Sequence, residues 1–297
     1  MPLPESSARC RPEDPRFHGL DNPSGLVSRA LNQVLARRAG PGPAASTPTL
    51  SWRSTTCDGV ERLADSGAQN VGGPMEPEGR SPWSRAIAAA MRSRFGVGPA
   101  RFRYARRVGR WTRSISGHFR SSSSPGSADF NEEMVRNQDY EMNYRIRRSG
   151  GTILADPAIR STYLVRPDLP ALWRQFESYG YWKLQMLRRH PGSLRPRQLA
   201  APLLVVALTV AALVSLAGLL PSPGASGPVG ACRSPSAGYA VASVVAAVAA
   251  VVGGSGTNSG SVMRLPAVFA VMHCAWGLGF WRGLLRPPGG AIGDASR

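Results

Sequence analysis

Two carboxylates two residues apart, Asp139 and Glu141, stand within the stretch Phe130 to Leu154, FNEEMVRNQDYEMNYRIRRSGGTIL. Tyr140, Met142, Tyr144, Arg145 and Ile146 continue that stretch as a helix, with the two acids at its head. A carboxylate in a first helical turn meets the positive end of the helix dipole and free backbone N–H groups, which keep it ionised and able to take a proton. The chemistry such a group serves is general base catalysis. The same placement has a plain structural meaning, because an acidic pair at a helix start stabilises it by up to about 1 kcal/mol. On these residues alone both readings stay open.

Other candidates are weaker as single residues. Gly72 and Gly73, followed by Pro74, have the composition of a turn. Gln175, Tyr179, Gly180 and Trp182 lie in an amphipathic segment, QFESYGYWKLQMLRRHP, that suits either the lipid headgroup level or contact with a bound acceptor. His190 and His273 have no titratable partner at useful spacing and read as structural. The four cysteines, Cys10, Cys57, Cys232 and Cys274, form no C-x-x-C pair and have no His nearby, so they read as free thiols rather than metal ligands.

The elements that must position these groups divide the chain in two. Most long apolar runs fall after residue 198, while the earlier part is rich in Arg, Pro, Gly and Ser. Asn22 to Arg38 places Leu26, Val27, Ala30, Leu31, Val34 and Leu35 at helical spacing, an amphipathic helix. Two stretches then break any period: residues 39–57, which begin AGPGPAASTPTLSWRS, and residues 113–128, RSISGHFRSSSSPGSA. Residues 199–220 run without a charge and are long enough to cross about 30 Å of hydrocarbon. Residues 237–256 and 265–285 are expected as second and third spans, with 286–297 as a tail. Arg188, Arg189, Arg195 and Arg197 precede the first span and hold that side in the cytoplasm by the positive-inside tendency. Three spans would leave Arg282, Arg286 and Arg297 outside, against the same tendency. The N-terminus has no apolar h-region of a secretory signal, so the polar part is expected to stay cytoplasmic.

The net charge is +18, and Lys183 is the only lysine, so the charge is almost all guanidinium. Arg pairs with phosphate oxygens through two donors at once, which suits anionic lipid, the diphosphate of a nucleotide or nucleic acid. Beside an apolar segment, lipid and phosphate are the favoured partners and nucleic acid is not expected. The run Arg101, Arg103, Arg106, Arg107 and Arg110 carries the same alternatives.

The stretch around Asp139 resembles the acceptor-site motif of inverting, bacterial family 2 glycosyltransferases. Gly67 to Ala105 resembles the donor-to-acceptor connection of the succinoglycan and exopolysaccharide subgroup. Gly151 to Tyr163 is similar to the strand that returns to the sheet, and Gln175 to Pro191 to the segment leading to the membrane. The resemblance implies an α/β fold: an incomplete GT-A (Rossmann-like) domain over residues 1–198, followed by transmembrane α-helices at a bacterial inner membrane. It implies sugar transfer from a nucleotide-sugar donor to a lipid-linked or polysaccharide acceptor, with inversion and with Asp139 as base. Glu141 would stand beside the base, and Gly72, Gly73, Gln138, Gln175 and Trp182 would contact donor or acceptor.

The chain also departs from the pattern. Gln138 stands where many relatives have glutamate. The family expects Mg²⁺ or Mn²⁺ on the donor diphosphate, held by an aspartate motif, yet no acidic residue occurs between Ala39 and Cys57. The chain is expected to begin near the end of the nucleotide-binding half, around Phe17 to Asn22, and to match roughly the back two thirds of such an enzyme. Both irregular stretches read as frame-shifted, and transfer by this chain is expected to be impaired or lost. A non-enzymatic membrane-associated protein is the alternative, and an Arg-rich nucleic-acid binder the weaker one.

Overall fold

The structure is a computed structural model that describes residues 22–36, 50–52, 66–98, 108–110, 118–119, 129–159, 161–217, 235–252 and 262–286. In chain order the elements are α1 (Val27–Ala36), β1 (Leu50–Trp52), β2 (Asn70–Gly72), β3 (Met75–Glu78), α2 (Pro82–Arg92), α3 (Arg94–Val97), β4 (Gly109–Arg110), β5 (His118–Phe119) and α4 (Gln138–Arg148). Then follow β6 (Ile153–Ala155), β7 (Ser161–Leu164), α5 (Leu169–Arg189), two short 3₁₀ turns, α6 (Ala200–Ala217), α7 (Pro235–Val252) and α8 (Leu265–Leu285). The described residues fall into two compact units: those up to Glu76 and from Val108 to Leu164 in the first, and those from Pro77 to Gly98 and from Val165 to Arg286 in the second.

The first unit is built on a four-stranded sheet in the order β4-β6-β2-β5. Its central pair, β2 with β6, is parallel, with Asn70, Val71 and Gly72 opposite Ile153, Leu154 and Ala155. The outer strands β5 and β4 are antiparallel to their neighbours. Beside it β1 pairs antiparallel with β7. Of the expected Rossmann-like domain, the described residues thus show the parallel pair β2–β6 with short antiparallel partners, and most of the described residues are helical. The irregular stretches 39–57 and 113–128 each contribute a short strand, β1 and β5, and their other residues lie outside the described ones. Apolar side chains close the unit: Phe130, Met142, Ile146 and Ile153 pack together with Leu31 of α1 against them, and Ala68, Val71 and Ile159 form a second group with Leu154.

Helix α4 starts from Asn137, whose φ of 59° is left-handed, a conformation asparagine tolerates better than most residues. It stops at Gly150, φ 80°, and the chain turns into β6. The turn is tight, because a Cβ on Gly151 would meet the Ile146 carbonyl at 2.9 Å.

In the second unit Ser81 caps α2, its hydroxyl accepting from the Ser84 N–H at 3.1 Å while the Ser84 hydroxyl accepts from the Ser81 N–H at 2.7 Å. Asp168 caps α5 by accepting from the Ala171 N–H at 2.7 Å. Helices α6 and α8 are each long and apolar enough to cross a membrane, and α7 contains a shorter apolar stretch, Gly238–Ala249. Their surroundings differ. Helix α6 exposes Leu203, Val206, Val210 and Leu213, whereas α8 buries Leu265, Val268, Phe269, Met272 and Ala275 completely.

Candidate functional site

Asp139 and Glu141 both lie in the first turn of α4, as expected from the sequence. Gln138 and Asp139 are half-buried, and one carboxylate oxygen of Asp139, Oδ2, is buried. Glu141 is only 1% exposed. Arg145 Nε approaches both of its oxygens, at 2.8 and 3.1 Å, and the other end of that guanidinium donates to the Asp129 carbonyl. One arginine therefore links the helix to the segment that leads into it. Glu141 holds the helix entrance, while Asp139, two residues earlier, points from a different side of the turn.

The approach to α4 is fastened a second time by α1. Asn32 Nδ2 donates to the Phe130 carbonyl at 2.9 Å, and the Phe130 N–H donates back to Asn32 Oδ1 at 2.7 Å. Arg29 Nε adds an ion pair to Glu132 at 3.1 Å, in the exposed rim where such pairs contribute little. Replacing Asn32 by alanine is expected to destabilise the first unit by about 2 kcal/mol, because two backbone groups of Phe130 lose their partner. Faster tryptic cleavage at Arg136 would report it; unchanged cleavage would mean that the clamp does not hold this segment.

Beneath the helix, Asn70 of β2 and Asn143 of α4 are both fully buried, and Asn70 Nδ2 donates to Asn143 Oδ1 at 2.5 Å. Asn143 is one turn beyond Asp139 on the same helix face, so the amide pair fixes the rotation of α4 over the sheet. It also joins that helix to the strand that ends in Gly72. Gly73 follows, where a Cβ would sit 1.7 Å from the Ile159 carbonyl oxygen and 2.6 Å from that of Asp156, so no other residue fits. The glycine pair thus closes β2 against the turn 156–159, in which the Asp156 N–H donates to the Gly72 carbonyl at 2.9 Å. Sequence reading missed Asn32, Asn70, Asn143 and Arg145. A signal was present for Asn143, which sits four residues after Asp139 between the apolar Met142 and Tyr144.

Gln138, Asp139 and Glu141 therefore share one turn, and Gly72 and Gly73 are tied to the same helix through Asn70. Gln175 and Trp182 belong to the second unit. Gln175 is buried; it donates to the Tyr179 hydroxyl at 2.8 Å and accepts from Arg166 Nε at 3.3 Å. Trp182 is buried with its ring edge-on to Tyr181, rather than open at a headgroup level. His273 Nε2 meets the Phe95 carbonyl and Nδ1 the Tyr239 hydroxyl, both at 2.9 Å. A carbonyl only accepts, so Nε2 carries a proton. Cys274 is a free thiol, and the other three cysteines and Arg101 to Arg107 lie outside the described residues.

Among the described residues no three of His, Cys, Asp or Glu gather as ligands for an ion. The place where an aspartate motif would stand, residues 39–57, is described only at Leu50–Trp52 and holds no acid. A donor set of Ser, Thr and backbone groups does not fit Mg²⁺ or Mn²⁺, which take carboxylate oxygens.

Over 288 residues the chain is 29% identical to the succinoglycan biosynthesis protein ExoA of Rhizobium meliloti (strain 1021), covering 95% of this chain and 82% of that protein. It is a distant homologue of that protein over most of its length. The share is larger than the two thirds expected, and with so little of the chain left over, both irregular stretches lie inside the matched span. No family profile matches the chain, and no solved structure matches it.

Proposed function

We propose that this chain is a membrane-attached, family 2 type glycosyltransferase of exopolysaccharide assembly. It would transfer a sugar from a nucleotide donor to a lipid-linked or polysaccharide acceptor. The observation that carries the reading is Asp139 in the first turn of a helix whose entrance and rotation are both fixed, within a chain 29% identical to a succinoglycan biosynthesis protein. In the reaction the acceptor hydroxyl attacks the anomeric carbon, its proton passes to Asp139, and the nucleoside diphosphate leaves from the opposite face, which inverts the configuration. Glu141, held by Arg145, positions the base rather than taking the proton. Gln138, Gly72 and Gly73 are proposed contacts of donor or acceptor. No step is routed through a divalent ion, because the described residues hold no cluster of ligands for one.

The missing acids between Ala39 and Cys57 make weak or absent transfer part of this reading. The same observation favours a second one, a membrane-associated protein that keeps the fold without the chemistry. Radiolabelled sugar transfer by membranes that carry the chain, from a panel of UDP- and GDP-sugars, separates the two. Any transfer is expected to fall at least about 100-fold in Asp139→Asn, the range for loss of a general base, with membrane association unchanged. Transfer that persists in Asp139→Asn would remove Asp139 from the mechanism. No transfer by the parent chain would move it to the second reading.

A further inference from the structure

Two helices, α6 and α8, pass the length and composition test for a membrane span, but their neighbours set them apart. We infer that lipid contacts this chain through α6, and that α8 lies out of the bilayer as the core helix of the second unit, on the same side of the membrane as α5.

One face of helix α8 is contacted from end to end by polar helices of its own unit that precede α6, and α8 also meets the start of α6, where the Trp281 indole donates to the Pro202 carbonyl at 3.1 Å and a Cβ on Gly277 would lie 2.5 Å from the Ala201 carbonyl oxygen. At its start the Arg264 guanidinium lies 5.6 Å from the centre of the Trp83 ring, just inside α2. One turn on, Phe269 meets Phe95 of α3 edge-on at 4.9 Å, and His273 donates to the Phe95 carbonyl. Past the middle Arg282 pairs with Glu177 of α5 at 2.5 Å. At the end Gln185 donates to the Gly283 carbonyl at 3.4 Å and Arg188 to that of Leu284 at 2.9 Å. From Arg264 to Leu284 the covered length is about 30 Å at 1.5 Å per residue, the full thickness of a hydrocarbon core. If α8 crossed the bilayer, Glu177, Lys183 and Arg188 of α5 and the α2–α3 segment would have to enter it too. Arg85, Arg92, Arg174 and Arg188 on the outer faces of those helices are exposed, and charges facing hydrocarbon are too costly for that.

Helix α6, which meets α8 at Ala201, Pro202 and Val205, is far more open. Only 6% of its apolar window is buried, and Leu203, Val206, Val210 and Leu213 project outward. Arg188, Arg189, Arg195 and Arg197 precede it, where they complement anionic headgroups. With α8 on the α5 side, the chain crosses the bilayer an even number of times between residues 200 and 264, whatever its path there. Arg282, Arg286 and Arg297 then return to the side that holds the other arginines, which removes the conflict with the positive-inside tendency.

The test uses the full chain with a reporter at either end: green fluorescent protein, fluorescent only when left in the cytoplasm, or alkaline phosphatase, active only outside it. Both ends are expected to give the same answer, fluorescent and phosphatase-negative. A phosphatase-positive C-terminus with a fluorescent N-terminus overturns the placement of α8. In a second arm, Val206→Arg with Val210→Arg is expected to lower the share of protein that survives an alkaline wash of the membranes at least tenfold, and Leu278→Arg with Leu285→Arg to leave it unchanged. Release by the α8 pair and not by the α6 pair overturns the assignment of the lipid-facing helix.

Discussion

Replacing Arg145 by methionine is expected to cost the first unit about 3 kcal/mol, the lower end of the range for breaking a buried ion pair by removing one partner. The asymmetry of the pair decides this. Glu141 has only 2% of its side chain exposed and Arg145 has 23%, so the carboxylate is the member that water cannot reach when its partner goes. Removing the arginine takes from the more deeply buried charge the Nε–H that its two oxygens share and also frees the Asp129 carbonyl. Neutralising the carboxylate instead, with Glu141→Gln, is expected to cost about 1 kcal/mol, since an amide can still hydrogen-bond the guanidinium. The double variant Arg145→Met, Glu141→Gln should therefore be more stable than Arg145→Met alone. Urea unfolding of the four proteins in detergent, followed through the first unit's tyrosines, measures all three differences. If Arg145→Met costs no more than Glu141→Gln, the pair is a surface-like contact and does not fix the entrance of α4.

That network was beyond sequence reading, although the helix it serves was not. The 3.6-residue recurrence of Met142 and Ile146 and the acids ahead of it are local signals, and α4 begins at Gln138 with Asp139 and Glu141 in its first turn. The pairing of Asn70 with Asn143 joins residues 73 apart, and nothing in either residue's neighbourhood specifies the other. Proline and serine density in 39–57 and 113–128 concealed β1 and β5, because a strand of two or three residues takes its stability from the partner strand rather than from its own composition. The last apolar segment forms one helix, Leu265–Leu285, whose apolar character was legible but not its surroundings. A helix that is apolar all round can be buried by protein as well as by lipid, and periodicity is silent on which. Its clue was the basic residues at its end, Arg282 and Arg286, in conflict with the three-span expectation.

The largest stability effect is expected at Gly180, the point where α5 and α8 cross. A Cβ there would lie 2.0 Å from the Trp276 carbonyl oxygen and 2.8 Å from the Phe280 nitrogen, and one on Gly279 would lie 2.0 Å from the Glu177 carbonyl oxygen. The two backbones therefore touch at glycine on both sides, and the obstacles are backbone atoms that cannot rotate away. Gly→Ala within a helix ordinarily gains about 1 kcal/mol, because alanine has the higher helix propensity. Gly180→Ala should reverse that sign and cost about 2 kcal/mol, and Gly180→Leu about 4 kcal/mol or more, since an overpacked site with no room to relax lies at or beyond the upper end of such penalties. Gly238 in α7 has no atom within 4 Å of its would-be Cβ, so Gly238→Ala should be neutral or slightly stabilising and serves as the control. Thermal unfolding in detergent gives the order Gly238→Ala, parent, Gly180→Ala, Gly180→Leu from most to least stable. A Gly180→Ala protein as stable as the parent would mean that α8 is not seated on α5, and the argument that keeps α8 out of the bilayer would lose its closest contact.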